Sequence, residues 1–449
     1  MANVIKLRKG LDIKLVGVAR GEKTPLAASV EYALVPDTFV GVNPKVVVKE
    51  GDVVKAGSAL FVSKQQPEVK FASPVSGVVS AVERGDRRKL LAVKVKADAE
   101  QQYADFGKKD PKSLTGEQVK TAILEAGLFG YINQLPYAVV ANPQDEPKAI
   151  FVSALRDMPL ACDFETELKG NEEAFQAGLT ALSKMAKTYL GIGAKQTAAA
   201  LTDAKDVEVT VFDGKCPAGN VGVQVNHLSP VNKGEVVWTV DPSAVIFIGR
   251  VMLTGKVDLT RTVAVAGAEV KEPKFVEVKV GAPVADVLAG ELDGTEGKRV
   301  INGNPLTGVL AAAVPYLGAH TSEVTVIPEG NHADEMLGWI MPRFNQFSTH
   351  RSYLSWLFGK KAYNLDARVK GGERHMIMSG EYDRVLPMDI YGEYLIKAII
   401  SGDIDRQEAL GIYEVSPEDF AVAEFVDSSK LELQKIVRQG LDILRKENA

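Results

Sequence analysis

Lys49–Val79, KEGDVVKAGSALFVSKQQPEVKFASPVSGVV, breaks every few residues. Val53–Val54, Leu60–Val62 and Val78–Val82 are bounded by EGD, KAG, SPVSG and RGD, so the pattern predicts short strands joined by tight turns. Val46–Val48 adds another apolar triplet before them. Leu91, Val93 and Val95 alternate with Ala92, Lys94 and Lys96, the mark of a half-buried strand. No helical period survives this punctuation. The front of the chain therefore has to close on itself as small sheets.

The same hairpin has the form that carries a swinging lipoyl or biotinyl arm. Carrier domains hold the modified lysine at a turn tip, with a proline-valine-small-glycine stretch on the next strand. Here that stretch is Pro74, Val75, Ser76 and Gly77. Counting back at the usual spacing reaches Gln66, inside KQQP, and Pro67 alters the turn. Lys64 and Lys70 flank it where strand is expected. The expectation is a barrel-sandwich scaffold without an arm. A carrier with an arm on Lys64 or Lys70 is the alternative that an intact mass would decide.

At 449 residues the chain has room for three or four domains. No apolar run reaches the roughly 18 residues of a membrane span, and MANVIKLRKGLDIKL lacks the uninterrupted apolar core of a secretory signal. A net charge of −5 gives no electrostatic reason to expect nucleic acid. Two cysteines, Cys162 and Cys216, point to a reducing compartment rather than a disulfide framework. Membrane association is expected to come through partner proteins.

DAEQQYADFGKKDPKSLTG reads as a linker, and α/β texture follows. Thr115 and Gln118 have capping-box spacing, Val119, Ile123 and Ala126 share a face, and Gly127 stops the helix. AIFVSAL is an apolar run suited to a buried parallel strand. Phe175, Leu179, Leu182, Met185, Ala186 and Tyr189 predict a helix ended by Gly191 and Gly193, with DVEVTVF as the next strand. Strand, helix and strand imply a right-handed crossover. From about Thr260 a small α+β module is expected, with GAPVADVL as a short helix and GKRVINGNPLTG as a glycine-rich return. PEGNHADE is read as a loop, and beyond about Glu335, with Trp339 and Trp356, the chain is read as mainly helical.

The candidate chemistry is sparse. AGLFGYINQLPYAVV reads as a glycine-containing loop after a helix, but Gly127 and Gly130 alone do not make a phosphate loop. Phe129, Tyr131 and Tyr137 could line a flat apolar ligand or belong to the core. Cys216 and His227 are too few for a structural zinc, and His227, His320, His332, His350 and His375 are scattered. Two thiols cannot supply the roughly four that an iron–sulfur cluster takes. No catalytic, cofactor-binding or metal residue is assigned. Solvated surface charge is the reading for Arg374 and Arg384.

IFVSALRDMPLACD, CPAGNVGVQVNHLSPV, WTVDPSAVIFIGRVMLTGKVDLTRTVAVAGAEV, RVINGNPLTG, SGEYDRVLPMDI and LGIYEVSPEDFAVAEFV stand in this order along the chain. Together they resemble the A-subunit family of the Na⁺-translocating NADH:quinone oxidoreductase (Na⁺-NQR). The resemblance implies an α/β multidomain fold. Its parts would be a barrel-sandwich (biotinyl/lipoyl-like) domain without the arm over 1–100, a Rossmann-like domain over 112–258, a β-grasp (SLBB-like) domain over 259–330 and a helical C-terminal region over 335–449. It implies a peripheral, cofactor-free subunit on the cytoplasmic face of the bacterial inner membrane, supporting membrane subunits. The complex would use NADH, flavins, an iron–sulfur cluster and a quinone, and would be enzymatic only as a whole. A loop of Gly127, Phe129, Gly130, Tyr131 and Tyr137 is the expected neighbour of the quinone. A soluble flavin- or NADH-binding oxidoreductase is the other alternative. The sequence departs from the family where Asp427 replaces a cysteine and where Gly222–His227 replaces a histidine-rich stretch.

Overall fold

The computed structural model describes residues 3–331, 340–359 and 361–448. His332, Trp339 and the end of PEGNHADE lie outside the described residues.

The β-rich front forms two small antiparallel sheets. One orders Glu31–Leu34, Leu90–Ala97, Gly77–Arg84 and Val53–Val54; the other orders Pro44–Val46, Ala59–Ser63 and Lys70–Ala72. Gly77 is obligatory, because a Cβ there would lie 1.9 Å from the Lys96 carbonyl oxygen across the pair. Lys70 opens its strand as expected, whereas Lys64 lies in the turn just past Ser63. That turn is docked: Gln66 donates to Asn142 Oδ1 at 2.7 Å and Gln144 donates to Glu68 at 3.1 Å.

A seven-stranded sheet lies behind it, in the order Asn3–Lys6, Glu208–Asp213, Thr188–Gly193, Ile150–Ser153, Val237–Val240, Ile132–Leu135 and Val139–Val140. The first five strands are parallel and the last two antiparallel. The helix Gly116–Glu125 starts on the predicted capping box, with Thr115 and Gln118 exchanging both hydrogen bonds. Helices Glu172–Met185 and Pro242–Thr254 cross closely, since a Cβ on Gly249 would come within 1.7 Å of the Ala174 carbonyl oxygen. A six-stranded mixed sheet follows, built from Lys23–Pro25, Thr260–Ala266, Lys274–Lys279, Lys298–Asn302, Val309–Leu310 and Glu323–Pro328, with Val284–Val287 as the expected short helix.

Four readings change. The helix from Phe175 ends at Met185, and Tyr189 belongs to the strand Thr188–Gly193. This wholly buried strand gains more from sheet pairing on both sides than from one further helical turn. The Ala126–Val140 stretch is a 3-10 turn followed by a tight hairpin, Ile132–Leu135 against Val139–Val140, rather than a loop. The linker is strapped down: the Ala56 amide donates to the Gln102 carbonyl at 2.9 Å, the Ala104 amide donates to the Ala56 carbonyl at 2.9 Å, and Phe106 donates to Gly255 at 2.8 Å. The helical reading of 335–449 fails over its described first part. Among the described residues of 341–381 the only helical piece is the 3-10 turn Leu354–Phe358, because Pro342, Gly359 and Gly371–Gly372 interrupt any longer run.

From Tyr382 onward the helical reading holds. Gly392–Ser401, Ile404–Ala409, Ala421–Val426 and Leu433–Glu447 pack around Tyr382, Leu395, Ile396, Phe420, Val437 and Leu441. Arg438 of the last helix forks onto the carbonyls of Tyr137 at 2.8 Å and Ala138 at 3.0 Å, which clamps the helix to the seven-stranded sheet. Asp427 accepts from the amides of Ser429 at 3.2 Å and Leu431 at 2.8 Å, so it caps the turn into that helix.

The contact between Glu172–Met185 and Pro242–Thr254 has no room for a methyl group. Gly249→Ala is expected to destabilise the chain by at least ~1–3 kcal/mol, the range for overpacked cores. A thermal unfolding midpoint equal to that of the parent would refute this crossing.

Candidate functional site

In the seven-stranded sheet the chain moves outward from Ile150–Ser153 through two strands, then returns to the other side of Ile150–Ser153 with Val237–Val240. The strand order reverses between these neighbours. Crevices outside the carboxyl ends of such strands are where open α/β sheets bind ligands. A cavity of about 390 Å³ lies there, walled by Ser153, Arg156, Asp157, Asp241, His320 and Glu418 among others. Its far wall, including Asn302, Asn304 and Glu323, comes from the six-stranded sheet.

Each wall residue is held by local sequence. Asp241 ends its strand and caps the following helix, accepting from the Ser243 amide at 2.9 Å, with Pro242 at the first helical position. Ser153 donates to the Gly219 carbonyl at 2.7 Å and accepts from Gln224 at 2.7 Å, which ties the strand end to the Val221–Leu228 helix. Asp157 accepts from the Gly219 amide at 2.9 Å through one oxygen, while its other oxygen is buried without a hydrogen-bond partner.

Beneath the cavity is a knot of buried charge. Arg156 meets Glu167 at 2.9 Å and Asp241 at 3.4 Å, and it donates to the Ser243 hydroxyl at 2.8 Å. Ser243 donates to Glu167 at 2.8 Å and also accepts from Arg261 at 3.1 Å. Arg261 lies 3.7 Å from Asp241 and donates to the Ala319 carbonyl at 3.0 Å. Burial pushes the Asp241 carboxyl up, but Arg156 and Arg261, with His320, outweigh it and hold the group below its ordinary value. Burial holds the His320 imidazole below its usual range, against the opposing pull of Asp241.

The wall therefore carries four acidic side chains, Asp157, Asp241, Glu323 and Glu418, against one guanidinium, Arg156, with burial pushing Glu418 up to about 7 and Asp157 up to about 6. That set repels phosphate and accepts hydrogen bonds from a neutral or cationic group. The N-terminus of the Pro242–Thr254 helix, where an anion would otherwise sit, is already taken by Asp241.

The residues singled out from sequence fall around this cavity rather than in it. Phe129 and Tyr131 are wholly buried. Gly130 lies against Phe71, where a Cβ would be 2.3 Å from the ring, and Gly127 lies against Ala72. Tyr131 stacks edge-on with Phe39 at 5.5 Å and with the cavity residue His320 at 5.8 Å, and its buried hydroxyl has no hydrogen-bond partner. Tyr137, half-buried with φ +82°, is apart from them under the last helix. Cys216 is buried against Met158 and His227 bonds the Pro387 carbonyl, so the pair serves different neighbours. Cys162 is buried beside Thr262, and burial pushes its thiol up. Sequence reasoning missed Arg156, Asp157 and Asp241. Their signal was charge directly after a buried strand, in SALRD and VVWTVDP.

Burial pushes the Asp157 carboxyl up to about 6, with the Gly219 amide opposing and Asp12 adding like charge. The native state thus holds this proton more tightly than the unfolded chain. The linked stability is complete below the ordinary carboxyl value of 3.8 and is lost as pH rises through about 6. Asp157→Asn is expected to gain stability relative to the parent between about pH 4 and pH 7, read as diverging urea midpoints; parallel midpoints would refute it.

Comparison with known proteins gives three family models in order: the NqrA N-terminal barrel-sandwich hybrid domain over 5–98, the NqrA second alpha/beta domain over 114–257 and the NQRA C-terminal domain over 262–313. The A subunit of the Na(+)-translocating NADH-quinone reductase of Pasteurella multocida is 36% identical, and its counterpart in Neisseria meningitidis serogroup B is 33% identical. Each match covers 99% of this chain and all of the relative. An NAD⁺-reducing [NiFe]-hydrogenase in the H2-reduced state matches at 14% identity over 41% of each chain with TM-score 0.31, too slight to carry a statement. With its domain models in sequence and its relatives aligned end to end, this chain belongs to the NqrA family, the A subunits of the Na(+)-translocating NADH-quinone reductase.

Proposed function

We propose that the chain is the peripheral NqrA subunit of a Na⁺-translocating NADH-quinone reductase, enzymatic as part of that complex and without redox chemistry of its own. The observation that carries this is identity of about a third sustained over the full length of relatives with that name. No helix among the described residues is long and apolar enough to cross a membrane, which fits attachment through other subunits. The reading places the chain on the cytoplasmic face of the bacterial inner membrane, supporting membrane subunits, in a complex that uses NADH, flavins, an iron–sulfur cluster and a quinone.

In the same reading the chain divides into a barrel-sandwich unit over 1–100, a Rossmann-like unit over 112–258, a β-grasp SLBB-like unit over 259–330 and a helical unit over 335–449. The parallel strands with a reversed order support the Rossmann-like description. The acidic wall of the cavity supports a cofactor-free chain, because a flavin or nicotinamide phosphate would meet carboxylates there.

The quinone-adjacent loop stays part of the proposal. Tyr131 is one ring away from the cavity through His320, so of Gly127, Phe129, Gly130, Tyr131 and Tyr137 it is Tyr131 that links the loop to a quinone in the cavity. A quinone carbonyl accepts hydrogen bonds, and the Asn133 amide on the cavity wall can donate one.

Two measurements check the reading. Affinity capture of the chain from detergent-solubilised native membranes is expected to recover flavin-containing membrane subunits; recovery of the chain alone would count against membership in the complex. A photoreactive quinone analogue on the assembled complex is expected to label the cavity wall or residues 126–140. Label confined to other subunits would end the quinone part and leave the rest standing.

A further inference from the structure

We propose that residues 340–359, together with Lys361, form a face that docks on an anionic lipid bilayer. Exposed apolar side chains elsewhere in the described residues are mostly single valines and small pairs such as Tyr391 with Tyr394 and Ile377 with Met378. Here Met341, Phe344, Leu354, Trp356, Leu357 and Phe358 are all exposed, with Leu357 at 57% and Phe358 at 59%. They form one surface. The rings of Phe344 and Phe358 meet edge-on at 5.6 Å, and the Leu354 amide donates to the Pro342 carbonyl at 3.1 Å. The segment is also fixed to the body. Tyr363 donates to the Lys14 carbonyl at 2.8 Å, Val16 donates back to Tyr363 at 3.0 Å, and Ser355 is buried beneath the exposed side chains.

Charge identifies the occupant. The face, 340–359 with Lys361, holds Arg343, Arg351 and Lys361 and no Asp or Glu, a local +3 in a chain of net −5. Cations stand against the rings, with Arg351 over Trp356 at 5.2 Å and Lys361 over Phe358 at 5.8 Å. Aromatic rings with adjacent Lys and Arg are the arrangement of a membrane interface, where rings sit at headgroup depth and cations reach lipid phosphates. The centre of a protein–protein interface, by contrast, is depleted in charge.

The inference extends the subunit reading without resting on it, because vesicles contain no protein. The full-length chain is expected to co-sediment with vesicles of phosphatidylcholine containing about one quarter phosphatidylglycerol, far more than with phosphatidylcholine alone, and to be released as salt rises from about 0.1 M to about 0.5 M. Of the chain's three tryptophans Trp356 is exposed on this face and Trp238 is buried, so in the Trp339→Phe background binding should shift tryptophan emission to the blue, and adding Trp356→Ala should remove most of that shift. The double variant Arg351→Glu with Lys361→Glu should bind at least about tenfold more weakly, and Leu357→Asp with Phe358→Asp should abolish binding. The side chains varied at 351–361 lie at the surface, so an unchanged thermal midpoint will show that the variants are folded. Failure to sediment with anionic vesicles, or equal binding by the charge-reversed variant, overturns the proposal. So does a parent chain that ignores vesicles yet loses attachment to native membranes on Leu357→Asp with Phe358→Asp, since the occupant is then a polypeptide. None of these outcomes alters the result of capture from membranes.

Discussion

The hydroxyl of Ser243 holds the molecule's central joint. It accepts from Arg156 and Arg261 and donates to Glu167, so one small side chain coordinates two cations and an anion out of water. Arg156, Glu167 and Ser243 belong to the layer around the seven-stranded sheet, and Arg261 belongs to the six-stranded one. Buried ion pairs contribute little net stability, since desolvation offsets their attraction. Losing one partner is severe because the other is left charged and unsolvated. Such a knot therefore enforces geometry: the two sheets meet in the orientation that pairs every charge, and the cavity exists because they meet that way.

The cavity itself occupies the place where an open α/β sheet handles ligands, yet its chemistry is turned around. Asp241 fills the helix N-terminus that would face a phosphate, and Asp157, Glu323 and Glu418 complete an acidic wall. The aromatic layer of Phe39, Phe71 and Tyr131 behind it packs the barrel-sandwich sheets against the α/β layer. The glycines of the 126–140 stretch serve that packing, because at Gly130 the Phe71 ring occupies the space of a side chain.

Local features were readable from the sequence and non-local ones were not. The Thr115–Gln118 capping box and the Gly127 stop depend on neighbours a few residues apart and formed as expected, whereas the strand Leu90–Ala97 formed with Val93 and Val95 buried but with Leu91 exposed and Ala92 buried, because the pairing with Gly77–Arg84 shifts register there. Tyr189 fitted a helical period but joined a strand, because pairing on both sides overrode periodicity. The linker looked polar, and its hydrogen bonds to Ala56 and Gly255 come from partners far away in sequence. The cavity was illegible for the same reason. Arg156 and Asp241 are separated by 85 residues, and their closeness depends on strand order, which no single segment encodes. The N-terminal strand was likewise invisible as a member of the seven-stranded sheet.

That strand has a consequence for how the protein is made. Asn3–Lys6 leaves the ribosome roughly two hundred residues before its partner Glu208–Asp213. Lys23–Pro25 waits longer still for Lys274–Lys279. Each strand stays unpaired until its partner is made and is then stitched into a sheet completed behind it. Its lysines, arginine and glycine (KLRKG, 6–10) keep the waiting segment charged and discourage it from pairing with another nascent chain.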